Sequence, residues 1–188
     1  MDSKKNIQGY YTNILGKSLA KCLKKKQDLG IRVYYDHGNR GESNVCAPTP
    51  FFGEYSSSTT LANTDIAIVD ENNKKVMVLC EIEENGGSPK KIIGDVCTIF
   101  LAEKMRIEDK DYSLEKIYFI LGINVNKKGR SSEKVKKLRE RIPKIIKPEL
   151  LDNIEIKFIS GTDCDELIRD SKKEIYKILK LIFGKLWF

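Results

Sequence analysis

Asp65, Glu81 and Glu83 are three carboxylates that the local sequence draws toward one point. Ile66-Ala67-Ile68-Val69 and Val76-Met77-Val78-Leu79-Cys80 are apolar runs separated by the polar stretch Glu71-Asn72-Asn73-Lys74, the pattern of an antiparallel β-hairpin. Closing that hairpin returns the start of the first strand to the end of the second, where the acids lie. If Ala67 faces Leu79 and Val69 faces Met77, then Asp65 faces Glu81, and Glu83 follows two residues further along the same face. A slip of one residue would set Asp65 against Cys80 and send it to the other face from Glu81. Carboxylates crowded at the end of apolar strands repel and resist desolvation, and a cation or a proton relieves them. The chemistry predicted is a divalent-metal site. The competing reading is three solvated strand-end acids, which the adjacent Glu84 favours.

The elements that must position these acids follow from periodicity. Tyr11, Ile14, Leu15, Leu19, Cys22 and Leu23 recur at helical spacing and predict a first helix over about Tyr10 to Lys26. Ile31–Tyr35 reads as a strand, and Asp36–Asn63, rich in Gly, Pro, Ser and Thr, as a long loop. After the hairpin, Ser88 as N-cap and Pro89 at the first helical position start a helix that runs to about Met105. Lys116–Ile123 is nearly continuous in apolar residues and predicts a central strand covered on both faces. A basic loop, Asn126 to Arg130, leads to a helix over about Ser132–Lys147, a strand over Ile154–Ile159 and a last helix over about Asp163–Phe183. The sum is one α/β domain over residues 1–188, a mixed central β-sheet flanked by helices.

Composition narrows the function classes. Thirty-four Lys and Arg against 27 Asp and Glu give a net charge of +7, which favours polyanion partners, although genome bias or thermal adaptation also produces basic Lys/Ile-rich chains. Cys22, Cys46, Cys80, Cys97 and Cys164 form no CxxC pair. They read as reduced thiols of a cytoplasmic protein, with Cys22, Cys80 and Cys97 in the core. No apolar run approaches the roughly 18 residues of a membrane span, and Met1-Asp2-Ser3-Lys4-Lys5 leads into no signal-peptide core, so no membrane role is expected.

An Asp at the head of one strand, Glu-x-Glu at the foot of the next, and a helix after them in the order αβββαβ resemble the PD-(D/E)xK nuclease superfamily, over roughly Tyr10 to Ile123. Thr64-Asp65 stands where the family has Pro-Asp, and Glu81-Ile82-Glu83 where it has acid-x-Lys. The resemblance implies a restriction-endonuclease-like core that hydrolyses double-stranded DNA. It also implies Mg²⁺, with Mn²⁺ able to substitute, held by Asp65, Glu81 and the Ile82 carbonyl. Mg²⁺ suits such a set, because it takes hard oxygens from one or two carboxylates and keeps places for water and phosphate. The departure is Glu83, where the family usually has a lysine. Glu occurs there in some restriction enzymes of the superfamily and would act as a general base or bind a second metal. Lys90 or Lys91, in the first turn of the next helix, would fill the vacated place, as migrated lysines of the superfamily do, and Lys90 is the choice made from sequence. Glu54 or Asp36 is the candidate for the additional acid that the family often carries on its first helix, which here has no glutamate.

Lys127, Lys128, Arg130, His37 and Arg40 are candidate DNA contacts, with solvated turns as the alternative. One histidine and no paired cysteines exclude a structural zinc site, and neither a nucleophile elbow nor a P-loop appears. The apolar C-terminus, Leu181-Ile182-Phe183 and Leu186-Trp187-Phe188, must cover the core or meet another subunit. A homodimer would cut both strands of a palindrome. The expected function is a Mg²⁺-dependent endodeoxyribonuclease, of the type II restriction class. The alternatives are a structure-selective resolvase or repair nuclease, and a non-catalytic nucleic-acid-binding protein with a degenerate site.

Overall fold

Two alternating stripes of apolar residues along each central strand give this fold two cores, one on either face of a mixed, open sheet. The structure, a computed structural model, describes residues 9–39, 41–84, 88–125, 130–146 and 152–184. Arg40, Lys127, Lys128 and Leu186-Trp187-Phe188 lie outside the described residues. The elements are α1 (Tyr10–Leu23), a 3-10 turn (Lys24–Leu29), β1 (Ile31–Tyr35), β2 (Thr49–Phe51), β3 (Ile66–Asp70), β4 (Lys75–Glu83) and α2 (Pro89–Leu101). There follow β5 (Lys104–Ile107), β6 (Lys110–Ser113), β7 (Ile117–Asn124), α3 (Arg130–Ile145), β8 (Ile154–Gly161) and α4 (Cys164–Phe183).

The main sheet runs β1-β3-β4-β7-β8: the first two pairings are antiparallel, and β7 lies parallel to both neighbours. A three-stranded wing, β2-β5-β6, joins it through Lys75↔Ser113. α1 and α4 cover one face with Leu15, Leu19, Leu167 and Ile175 against Ile66, Ile68, Cys80 and Ile82. α2 and α3 cover the other with Ile92, Val96, Val135 and Ile142 against Ala67, Leu79, Phe119 and Leu121. Each such aliphatic side chain contributes about 1.5–3 kcal/mol on burial.

The expected α/β class and mixed sheet are therefore present, with corrections. The stretch from Asp36 to Asn63 contains β2, a three-residue edge strand. The helix after Pro89 stops at Leu101 rather than Met105, because the buried Met105 and Ile107 alternate with the exposed Lys104 and half-buried Arg106 and pair with β6 across a tight turn at Glu108, where φ is 53°. The first helix ends at Leu23. Of the three cysteines expected in the core only Cys80 is buried, while Cys22 and Cys97 are exposed.

The hairpin differs most instructively. Ala67 pairs with Leu79 as expected, but Val69 pairs with Val76, and Met77 is the extra residue of a β-bulge. Met77 and Val78 accordingly both enter the α1/α4 core. Gly16 sets how closely α1 lies on β1, since a Cβ there would come within 2.3 Å of the Tyr35 ring. The Gly16→Ala variant is expected to lose up to about 2 kcal/mol net, overpacking of about 1–3 kcal/mol set against about 1 kcal/mol of helix propensity, measured as a lower urea midpoint.

Candidate active site

Beyond the bulge the ladder pairs Ile66 with Cys80, so the next residues, Asp65 and Glu81, are opposed at the sheet's end. Leu79 lies in the α2/α3 core, and strand alternation carries Glu81 and Glu83 onto that face. Asp65, one residue past β3, sits at the rim. Its Oδ2 accepts the Ile82 N–H at 2.7 Å, and the Thr12 hydroxyl of α1 bonds to its carboxylate. Ile82 buries its side chain in the opposite core, so only its main chain serves the site.

α2 supplies the rest. Ser88 caps its start, accepting the Lys91 N–H at 3.2 Å, and Pro89 takes the first helical position. Such a cap stabilises by about 1 kcal/mol, and it points the first turn at the acids. Lys91 Nζ lies 2.6 Å from Glu83 Oε1, whose side chain is only 4% exposed. The ammonium gives Oε1 its counter-charge. Lys90 and Lys91 are both exposed, and it is Lys91 whose ammonium reaches Glu83.

One turn further, Asp95 joins the cluster. Its carboxyl is within hydrogen-bonding reach of Glu83, and its Oδ2 is buried without a hydrogen-bond partner. Sequence reasoning missed it. The signal was there: Asp95 falls inside the apolar stripe Ile92, Val96, Ile99, where a carboxylate has no business in a purely structural helix.

The electrostatics agree with the geometry. Burial pushes the Asp65 carboxyl up to about 6 against the hydrogen bonds from Ile82 and Thr12 and the nearby charges of His37 and Lys91. Glu81 is raised well above the ordinary carboxylate range by burial, then by Asp65 and Asp95. Asp95 is raised to about 7 by burial and by Glu83. For Lys91, desolvation is outweighed by Glu83, Asp95 and Asp65, which hold it protonated above its ordinary value. Among the described residues, buried side-chain oxygens without a hydrogen-bond partner occur on Thr64, Asp95 and Asn124 at this end of the sheet and on Ser171, which lies against Gly122 on the other face. Such atoms are places where a water or a ligand can bond.

The neighbours are structural. Glu84 Oε1 accepts the Tyr11 N–H at 2.6 Å, capping α1, and Asn124 donates to the Glu84 carbonyl. His37, with φ of 58°, packs against Gly9 at the head of α1 and lies close enough to lower the Asp65 carboxyl. Asp36 donates its N–H to the Asp65 carbonyl, with its carboxylate turned to His37. Glu54 is brought elsewhere. Its neighbour Gly53 bonds Glu103, just past the C-terminal end of α2, whereas the acids lie at that helix's start. Arg130 opens α3.

Among the described residues no three His, Cys, Asp or Glu side chains form a ready metal cage. Mg²⁺ does not require one: two carboxylates suffice when water and a phosphate complete the shell. Asp65 and Glu81, opposed at the sheet's end and both raised chiefly by burial, are the two carboxylates a cation there would meet.

Carboxyls whose folded-state pKa is raised bind protons more tightly in the native chain, so their contribution to stability falls as pH climbs from about 4 through the raised values near 6 and 7. Asp95→Asn should therefore melt at a higher temperature than the parent at pH 8 without divalent metal, the difference vanishing at pH 4. Equal midpoints at both pH values would contradict the burial of an uncompensated carboxylate at Asp95. No protein-family model, curated protein or solved structure matches this chain, so the geometry of the site carries the functional reading.

Proposed function

We propose that this chain is a Mg²⁺-dependent endodeoxyribonuclease of the PD-(D/E)xK kind, acting on double-stranded DNA as a type II restriction endonuclease. The observation that carries the reading is the opposition of Asp65 and Glu81 beyond Ile66↔Cys80, with Glu83 and Lys91 beside them and too little positive charge to neutralise the group. The succession α1-β1-β3-β4-α2-β7 supports it, being the αβββαβ order of that superfamily with β2 and the β5-β6 hairpin as insertions.

Asp65 and Glu81 would hold the Mg²⁺, with the Ile82 main-chain carbonyl as a further candidate ligand. When bound, the ion offsets phosphodiester charge and makes water more acidic. Hydrolysis breaks one P–O ester bond and adds water across it. Glu83 would accept the proton of the attacking water, as a carboxylate in reach of the site can, with Asp95 tuning its charge from behind. Lys91, fixed by Glu83, would stabilise the charge that develops on the phosphoryl oxygens. Thus the lysine absent from the strand motif returns from α2, one residue beyond the position chosen from sequence. The internal Glu83–Lys91 pair also suits a non-catalytic nucleic-acid-binding protein, and cleavage separates the two.

With Mg²⁺ or Mn²⁺ the purified protein is expected to cut plasmid DNA into discrete fragments, and EDTA to abolish cutting. Asp65→Asn and Glu81→Gln should each reduce the rate on the order of 10²- to 10³-fold. Lys91→Met should fall comparably while Lys90→Met stays near the parent, circular dichroism confirming that each variant folds. A parent protein that cuts no DNA with either metal refutes the enzyme reading.

A further inference from the structure

The net charge of this protein is not spread evenly. α3 carries seven Lys and Arg against two Glu, a net +5 in 16 residues, whereas the whole chain carries +7. α4, a longer helix of 20 residues, carries five basic against four acidic side chains. Its Arg169 and Lys177 are paired with Asp170 and Glu174.

On α3 the buried positions are Val135 and Ile142, and Lys134, Lys136, Lys137, Arg139, Arg141 and Lys144 are all exposed. Among the described residues Lys137 alone of these six is ion-paired, to Glu133 at 2.9 Å. The macrodipole accounts for Glu133 in the first turn and Lys144 in the last, but not for the cations between them, since like charges three and four residues apart repel. Lys134, Lys137, Arg141 and Lys144 recur at those spacings and form one stripe. It is about 15 Å long at 1.5 Å per residue, the length of about four nucleotides of one strand at 3.4 Å each.

The stripe is also on the right side of the sheet. Val135 and Ile142 share a core with Ile92 and Val96 of α2, the helix that bears Lys91 and Asp95. α3 follows β7, whose last residue, Asn124, donates to the Glu84 carbonyl beside the acids. The helix therefore sets out from the end of the sheet that holds the carboxylates and runs back along the α2 face.

We propose that the solvent face of α3 is a docking track for the phosphate backbone of duplex DNA, which it contacts without reading bases. The proposal rests on the nuclease reading for its choice of polyanion. A self-repelling row of cations held on a packed helix gains on meeting a line of phosphates, through release of condensed counterions. A chain that has just left the carboxylates would follow this helix outward.

The test is a salt titration of binding to a fluorescent duplex, read by anisotropy in EDTA so that no cleavage intrudes. Each phosphate contact contributes about 0.9 to the slope of log K against log salt. The triple variant Lys134→Glu, Arg141→Glu, Lys144→Glu is expected to lower that slope by about 2.7. The charge-matched control Arg169→Glu, Lys173→Glu, Lys177→Glu on α4 should leave it within about 0.9 of the parent. Glutamine at the same three α3 positions gives a second variant without charge reversal and should move the slope in the same direction. Equal losses from α3 and α4 would mean that overall charge acts rather than this face, and would overturn the proposal. So would a parent that binds no duplex, or α3 variants that lose RNA while keeping duplex DNA. Binding is scored apart from cutting. A parent that binds through α3 and never cleaves refutes the nuclease alone, and one that cleaves with an unchanged α3 slope refutes the track alone.

Discussion

The register of β3 against β4 is the constraint on which the site depends. At the turn, Asp70 pairs with Lys75 and Val69 with Val76; continued without interruption, that ladder would set Asp65 against Cys80. Its carboxylate would then oppose a residue whose thiol belongs to the α1/α4 core. The bulge at Met77 inserts one residue into β4 and advances the pairing by one, so Ile66 meets Cys80 and Asp65 meets Glu81. A single inserted residue thus decides whether two carboxylates converge or part. The bulge is tolerated because Met77 and Val78, side by side on one face, both fit an apolar core. Methionine, unbranched and flexible, is well suited to fill the irregular space a bulge leaves.

Convergence has an electrostatic cost that the fold leaves standing. Glu71, at the other end of the hairpin, shows what a settled carboxylate looks like here. It accepts from the Tyr34 and Tyr112 hydroxyls at 2.7 Å each and meets Lys110 at 3.1 Å, and these partners outweigh burial to lower its pKa. The acids at the site are treated oppositely. Burial dominates at Asp65, Glu81 and Asp95, and all three are raised. Among the described residues Lys91 alone is held in direct ion-pair contact with the group, on Glu83. One chain thus satisfies a carboxylate at one end of a hairpin and leaves several short of positive charge at the other, which is where the proposed cation would act.

Much of this was legible in the sequence because alternation and caps are local. The hairpin, the Ser88-Pro89 helix start and the buried central strand β7 needed only spacing and residue type. The bulge was not legible, since Val76-Met77-Val78-Leu79 is apolar throughout and no residue in it reveals which face it takes. The wing was hidden for a related reason. Lys104-Met105-Arg106-Ile107 alternates charged with apolar, but it follows a helix without a glycine or proline to announce the break, and β2 is three residues with a proline in the middle. Asp95 was legible and overlooked, because a lone acid on a helix reads as surface until its neighbours Ile92, Val96 and Ile99 are seen to be buried. The choice between Lys90 and Lys91 turns on about 100° of helix rotation, which depends on how α2 seats on the sheet.

The two charge features then make one device on the proposed reading. A bare cluster of carboxylates repels a phosphodiester at the point where chemistry must occur, while α3, on the same side of the sheet, draws the same polyanion in. Attraction along the helix and repulsion at the strand ends cannot both be satisfied by DNA alone. A divalent cation held by Asp65 and Glu81 would offset most of the negative charge at the acids, so that the backbone could lie along the whole face. The positive track would therefore set how DNA arrives, and the unpaired carboxylates would make its productive seating conditional on metal. On that reading one ammonium, Lys91 on Glu83, would soften the repulsion without replacing the ion.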